Sequence, residues 1–296
     1  MLSGFLIIDK PSGVTSFSMV ALVRRLTGVK RVGHAGTLDP LATGVLPVAI
    51  GQAARLIEYL DDASKDYAAR VRFGTATDTY DAEGAVTSTH DASGVTAEAV
   101  RQALPEFIGE VVQTPPLYSA IKVAGKPLYR YAREGAAVEV ASRSVLIHRI
   151  ELVAFDATAA EAEIEVRCGK GTYIRSLAHD LGRSLGCGAH LAALRRTSSG
   201  GFGIDDAHTP AEVDAVSAEG RLAELLLAPD RAVERRPAAI FADDHALDVR
   251  SGRDVRLASS ADIDLCRAYT LEGEFVGVLR RLGDGLWHPE KVLSRA

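Results

Sequence analysis

The chain has only three cysteines in 296 residues, Cys168, Cys187 and Cys266, and no Cys-x-x-Cys pair. That scarcity argues against a disulfide framework and a cysteine-rich zinc site, and fits a reducing cytoplasm. Long apolar runs are missing too. The first hydrophobic stretch, Phe5 to Ile8, gives way after four residues to Asp9 and Lys10. It is too short for a signal-peptide core or a membrane span and reads as a buried strand ending in a turn. There is no G-x-x-x-x-G-K-[ST], no H-E-x-x-H and no G-x-S-x-G, and the GKG at 169–171 lacks the spacing to cradle a nucleotide. No cluster of histidine and cysteine marks a metal site, no motif calls for a cofactor, and there is no internal repeat or low-complexity tract.

Nor is the chain basic, with a formal net charge of −5. The total hides the distribution. Residues 1–60 and 114–150 carry +7 between them, while 61–113 and 201–296 carry −12. Two basic segments in an acidic chain are either ordinary surface scatter or the footprint of a polyanion.

What is present is the material of a globular protein: 47% hydrophobic and 25% charged residues, enough for a core without staples. The length favours a large domain with a smaller one. Thr15 to Arg25 spaces Phe17, Val20, Leu22 and Val23 as a helix does, with Thr15 or Ser16 as N-cap. Residues 30–44 read as a long glycine-punctuated loop feeding the strand VLPVAI at 45–50. DYAARVRFG alternates Tyr67, Ala69, Val71 and Phe73 against Ala68, Arg70 and Arg72, the period of a half-buried strand. A capped amphipathic helix is expected at 96–108, two strands within 145–168, and a turn plus helix from 169. Residues 204–236 read as helical and charge-rich. From about 237 short strands are expected, with turns at Gly273 and Asp284–Gly285. The segment 114–133 interleaves tyrosines with positive charge; it either stacks bases and holds phosphates, or is a core helix with Leu128, Tyr131 and Ala132 inward.

The most informative stretch is GHAGTLDPLATGVLP at 33–47. Gly33, Gly36 and Gly44 permit backbone geometries closed to other residues, and Pro40 pushes Asp39 toward an extended conformation. Thr37 and Thr43 flank the carboxylate; Leu38 and Leu41 can bury the loop's apolar side. Asp39 is either a displayed reagent or an Asx-turn residue satisfying nearby N–H groups. His34, five residues earlier, is a zinc ligand, a base or neither.

Five ordered blocks settle more: LIIDKPSGVTS at 6–16, RVGHAGTLDPLATGVLPVAIG at 31–51, KDYAARVRFGTATDTYDAEG at 65–84, PPLYSAIKVAGKPLYRYAREG at 115–135 and CGKGTYIRSLAHDLGRSLGCGAHLAALRRTSSGGF at 168–202. Through them the sequence resembles the TruB family of bacterial tRNA pseudouridine-55 synthases. The resemblance implies an α/β fold of the α+β type, with a central mixed sheet flanked by helices as the catalytic domain over 1–236. A small β-rich, PUA-like RNA-binding domain follows over 237–296, matched mainly by LEGEFVGVL and HPEKVL. It implies Asp39 as nucleophile, Arg175 as its partner and Tyr67 stacked on the target base. It also implies that His34 helps hold the T-loop with its uridine flipped out, that Tyr173 and Leu194 line the base pocket, and that Lys122 and Arg130 in the basic segment 122–133 meet RNA. Arg55 stands where many relatives have lysine; the charge is kept but the geometry differs. The partner implied is the T-arm of tRNA, with no metal, cofactor, membrane or obligate protein partner; a monomer fits the family.

These residue types suit the reaction. Breaking N1–C1′, turning the uracil and joining C5 to C1′ involves no net oxidation and no hydrolysis. An ionised carboxylate attacks either C1′ of the ribose or C6 of the base. A guanidinium beside it orients it and lowers its pKa. Without the family, Arg175 reads as a surface helix residue and Tyr67 and Tyr173 as packing. Flipping a uridine costs a few kcal/mol, offset by neighbouring contacts, and looped RNA suits stacking and phosphate contacts. The rivals are a non-catalytic RNA-binding protein or chaperone, and a carboxylate-dependent glycosidase, which would need a second acid that the sequence does not display. A basic face on the C-terminal part would have to come from Arg250, Arg253, Arg256, Arg280 and Arg281.

Overall fold

A computed structural model describes residues 2–61, 64–257 and 263–294. The first half runs β1 (Gly4–Lys10), α1 (Ser16–Thr27), β2 (Val32–His34), β3 (Thr43–Ile50), α2 (Ile57–Asp61), β4 (Lys65–Phe73), β5 (Thr75–Thr77), β6 (Val86–Thr89), α3 (Ala97–Ala103) and β7 (Gly109–Gln113). Then come β8 (Lys122–Val123), β9 (Lys126–Pro127), α4 (Leu128–Arg133), β10 (Arg143–Asp156), β11 (Glu161–Cys168), α5 (Ile174–Ser184), β12 (Ala189–Ser199), β13 (Phe202–Gly203) and α6 (Pro210–Ala218). The last part holds β14 (Ala238–Phe241), α7 (Asp243–Arg250), β15 (Val255–Arg256), β16 (Leu265–Thr270), β17 (Phe275–Gly283) and β18 (Leu286–Val292).

The central sheet has the order β1-β3-β12-β4-β11-β10-β7, with β2 on β3 and β13 on β12. Every pairing in it is antiparallel except β12 with β3, where Arg195 meets Thr43 and Arg196 meets Gly44. The sheet is therefore mixed, as expected. β12 enters between β3 and β4, which are neighbours in sequence but not in the sheet.

Two cores clasp the sheet. Leu6, Ile8, Leu46 and Val48 pack with Met19, Val20 and Val23 of α1, in a cluster that runs on through Val71, Ile164 and Leu177. Phe5, Ile7, Val45 and Ala49 face the other way and join Leu265 and Val278 of the C-terminal sheet and Leu293 just past its last strand. β4 keeps its period: Tyr67, Ala69, Val71 and Phe73 are buried while Arg70 and Arg72 are exposed. Those exposed positions pair with acids, Arg70 reaching Glu161 at 3.3 Å. Pro47 sits inside β3 without breaking it. Its carbonyl accepts from Ala35, so its nitrogen faces the same edge, between the stretch paired to β12 (43–44) and the stretch paired to β2 (48–50). The missing N–H falls in that gap.

The second sheet, in the order β14-β16-β17-β18-β15, has five strands and its own core of Phe241, Val249, Val276, Leu279 and Trp287. Its β17–β18 turn at Asp284 (φ 48°) and Gly285 (φ 72°) has both residues left-handed, as a tight hairpin requires.

Several elements differ from expectation. The stretch 30–44 is not all loop, since β2 within it pairs with β3. Thr96 caps α3 by accepting from Ala99, but the helix tightens into a 3₁₀ turn at Leu104–Phe107, where Pro105 removes a donor. Residues 204–236 hold one nine-residue α-helix, α6, started by a capping box of Thr209 and Glu212; the rest is three short 3₁₀ turns joined by irregular segments. Gly220 (φ 74°) and Pro229 interrupt it, and Leu227 bridges to Phe5 instead. α7, in a region expected to be strands, was not anticipated. In 114–133 only α4 is helical, with Leu128 buried and Tyr131 and Ala132 half-buried. The three cysteines are buried and free, and no helix among the described residues is long and apolar enough to cross a membrane.

Candidate active site

Asp39 sits in the loop joining β2 to β3, and the loop is fixed from below. Ser16, buried at the start of α1, donates to the Leu38 carbonyl at 3.0 Å and accepts from the Leu38 N–H at 2.8 Å. Lys10, 0% exposed at the end of β1, donates to the carbonyls of Pro40 (3.2 Å), Pro11 and Val14. Burial pulls its ammonium down to about 8, against the pull of Asp39. Gly44 is forced by the sheet, because a Cβ there would lie 2.2 Å from the Arg196 carbonyl oxygen. Residues 38 and 40 are thus both tied, and the carboxylate between them is held out. It accepts no backbone hydrogen bond among the described residues, so the Asx-turn alternative does not describe it.

Its partner is Arg175, the second residue of α5. The Arg175 Nε lies 2.9 Å from Asp39 Oδ2, but the N–H is not aimed at the oxygen well enough to form a hydrogen bond. The contact is an ion pair first, and such geometry is common before a ligand binds. Nη1 donates to the Thr79 carbonyl and Nη2 to the Tyr118 carbonyl, each at 3.0 Å. Asp81 adds a second carboxylate 3.4 Å from Nη1. Arg175 is 4% exposed, so it is not the surface helix residue that its sequence context allowed.

Burial holds the Asp39 carboxyl above the usual aspartate range; Arg175 and, more weakly, Lys10 pull it down and Asp81 pushes it up. The lowering by Arg175 expected from sequence is therefore present but outweighed. The Asp39 side chain is still 38% exposed, and partly withdrawing its carboxylate from water costs more than one imperfectly aligned guanidinium, already shared with Asp81, returns.

One cavity of about 250 Å³ gathers Asp39, Tyr67, Tyr173, Arg175 and Leu194, with Lys65, Arg143 and Arg196 also on its wall. Tyr67 comes from the buried face of β4; burial raises its phenol, opposed by Arg196. Tyr173 precedes α5. Gln113 fixes it by accepting its N–H at 3.0 Å and donating to its carbonyl at 3.3 Å, and the Arg143 guanidinium lies 5.1 Å from its ring centre. Leu194 is an apolar wall on β12. A larger cavity, about 580 Å³, opens on the other side of β4 past Ala68 and Arg70. Its Arg195 is already held by Asp9 at 2.8 and 3.0 Å, and the carboxylates on its wall, Glu163 and Glu165, stand exposed on β11.

The remaining sequence candidates lie outside the Asp39 cavity. His34 ends β2 and pairs with Val48 in the strand ladder. Arg55 donates to the Val292 carbonyl at 2.5 Å, linking the first sheet's side of the molecule to the second. Lys122 and Arg130 are exposed on the β8–β9–α4 segment. Of the C-terminal arginines, Arg250 pairs with Glu274 at 2.7 Å, Arg253 with Asp248 at 3.1 Å and Arg280 with Glu290 at 2.9 Å. Arg256 reaches the Asp284 carbonyl at 3.4 Å.

Sequence reasoning missed Asp81, Arg196, Lys10 and Ser16. Asp81 lies in TDTYDAEG, inside a matching block but without an evident task. Arg196, 0% exposed, donates to the carbonyls of Val45 (2.7 Å) and Gly36 (2.9 Å), and a charged residue at a core position of a strand was the available clue. Among the described residues no group of three His, Cys, Asp or Glu side chains is gathered as a metal ligand set. Chemically, the site presents a carboxylate paired with a guanidinium on the wall of a cavity that a phenol and an aliphatic side chain also line, an arrangement able to serve nucleophilic chemistry.

Comparisons with known proteins bear on this arrangement. Residues 24–174 match the model of the TruB family pseudouridylate synthase N-terminal domain, and residues 175–234 that of the tRNA pseudouridylate synthase B C-terminal domain. The chain is 45% identical over 291 residues to a tRNA pseudouridine synthase B of Dehalococcoides mccartyi, covering 98% of this chain and 96% of the relative. It is 43% identical over 295 residues to that of Chromobacterium violaceum, covering 99% and 95%. Among solved structures it is similar to an H/ACA RNP bound to a substrate RNA containing 2′-deoxyuridine, with TM-score 0.74, 26% identity and coverage of 99% and 85%. It is also similar to a Cbf5-Nop10-Gar1 complex, with TM-score 0.72, 28% identity and coverage of 95% and 79%.

Proposed function

For a chain that belongs to the TruB family of pseudouridylate synthases, we propose that it isomerises uridine 55 in the T-loop of tRNA to pseudouridine, with Asp39 as the nucleophile. The observation that carries the reading is the Asp39–Arg175 ion pair at 2.9 Å on the wall of a nucleoside-sized cavity. The flipped uridine enters between Tyr67 and Leu194, with Tyr173 and Arg143 at the rim. Asp39, ionised, attacks C1′ or C6. The N1–C1′ bond breaks, the uracil turns, and C5 bonds to C1′. The proton leaving C5 goes to a base or to water, and N1 regains one, so atoms and electrons balance without a cofactor. Arg175 keeps the carboxylate oriented, and Tyr67, whose phenol burial keeps neutral, packs on the base.

In the same reading residues 1–236 are the catalytic domain and 237–296 a PUA-like RNA-binding domain. His34, Arg55, Lys122 and Arg130 serve the RNA outside the pocket. The protein works as a cytoplasmic monomer without an obligate protein partner. An unmodified tRNA transcript carrying tritium at C5 of uridine tests it. Stoichiometric release of one tritium, abolished by replacing the T-loop uridine, supports the reading, and no release overturns it.

A further inference from the structure

The turn from Asp78 to Gly84 holds no regular element, yet two of its groups hold Arg175: the Thr79 carbonyl and the Asp81 carboxylate. Between them stands Tyr80, with φ at +63°. A side-chain residue rarely adopts that left-handed conformation, and something must hold it there. Its ring lies flat on the imidazole of His179, with centroids 3.9 Å apart and planes within 16°. His179 follows Arg175 by four residues on α5, so the two side chains leave the same face of the helix one turn apart. The helix grips the turn twice, once by the guanidinium and once by the stack.

We propose that Tyr80 is a positioning residue whose stack on His179 sets the distance between α5 and the 79–81 turn, and thereby the placement of Arg175 against Asp39. It acts through Arg175, for it does not line the Asp39 cavity. Backbone ties to β12, Leu191 N–H to the Tyr80 carbonyl at 2.9 Å and Ala82 N–H to the Leu191 carbonyl at 3.0 Å, keep the turn in place when the ring is removed. Loss of the stack therefore loosens Arg175 rather than unfolding the segment. The inference rests on the reading of Asp39 and Arg175 given above.

Four variants of the full chain test it. Tyr80→Ala loses the ring and keeps the left-handed strain; Tyr80→Gly loses both; Tyr80→Phe keeps the ring; His179→Ala removes the partner. In single turnover on saturating tRNA, the Ala, Gly and His179 variants are expected to react about tenfold slower or more, with Kd for tRNA within about twofold of the parent, and Tyr80→Phe to match the parent. Because Ala and Gly differ in strain but not in the ring, equal losses assign the effect to the stack. The acid limb of the rate profile should also move to higher pH in Tyr80→Ala, since a loosened Arg175 lowers the Asp39 pKa less. A cooperatively melting Tyr80→Ala that reacts at the parental rate overturns the proposal. So does one that loses only affinity, or a Phe variant as slow as Ala. Should the parent itself make no pseudouridine, the functional reading fails alone; carbon-13 NMR titration of Asp39 in parent and Tyr80→Ala then decides the positioning role, an unmoved pKa overturning it.

Discussion

Ser16 and Leu38 exchange two hydrogen bonds, hydroxyl to carbonyl and N–H to hydroxyl, at 3.0 and 2.8 Å. One buried side chain thereby satisfies both backbone groups of the residue before Asp39. Ser16→Ala leaves that donor and acceptor unpaired, at about 1–3 kcal/mol each. A lowered melting temperature and a slower single-turnover rate are expected, while the Kd for tRNA changes little. A variant with parental rate and stability would show that the loop is held without Ser16.

Asp39→Asn is expected to fold, bind tRNA and form no pseudouridine. Its stability carries a sign that can be checked. The folded carboxyl titrates above its unfolded value, so its contribution favours folding below the unfolded pKa, about 3.9, and turns against folding as pH rises through the folded one. At pH 7 the variant should therefore melt at or above the parent temperature, with the difference closing below about pH 4. Turnover within about tenfold of the parent would remove Asp39 from the chemistry.

Arg175→Lys keeps a charge but loses the fork that reaches Thr79, Tyr118, Asp39 and Asp81 together. Much slower single turnover with near-normal tRNA binding is expected. The protein should also be less stable, because breaking a buried pair costs about 3–5 kcal/mol and Asp81 is left without its guanidinium. Equal rates for the two proteins would take Arg175 out of the site.

Excess EDTA, applied to protein assayed on tRNA that folds without divalent ions, should leave the rate unchanged. Loss of activity restored by one particular metal would overturn a mechanism run by Asp39 alone.

Arg253→Ala with Arg280→Ala should barely change the dependence of tRNA affinity on salt, since each guanidinium is already neutralised by an internal carboxylate. A slope shallower by two would place both on RNA phosphates. Deleting 237–296 is expected to lower the melting temperature or cause aggregation, because Phe5, Ile7, Val45 and Leu56 share a core with Leu265, Val278 and Leu293. A truncated chain with unchanged melting would show the two sheets to be independent.

The legible parts of the molecule were those where one residue type has one use. Thr15 and Thr96 cap helices, β4 alternates, and Gly36, Gly44 and Pro40 mark a constrained loop around Asp39. The illegible parts depend on partners distant in sequence. Arg175 is a plain helical arginine until Asp39, Asp81 and two carbonyls converge on it; only the family blocks singled it out. LAELLL at 222–227 has helical composition, yet its register was decided by Phe5, which pairs with Leu227. α7 was missed because its eight residues bury only Ala246 and Val249, too few to show a period; the acids at Asp243 and Asp244 and the base at Arg250 were its visible signs.

The insertion of β12 between β3 and β4 has a consequence for synthesis. While the ribosome has yet to deliver residues 189–199, β3 and β4 flank an unfilled slot, and the loop bearing Asp39 lacks the Arg196 backbone against which Gly44 closes. Strand pairings so distant along the chain form late. A nascent chain that already contains Asp39 but not β12 is therefore expected to be inactive on RNA, and competence should arrive in one step, as protease resistance and activity together, once β12 has emerged.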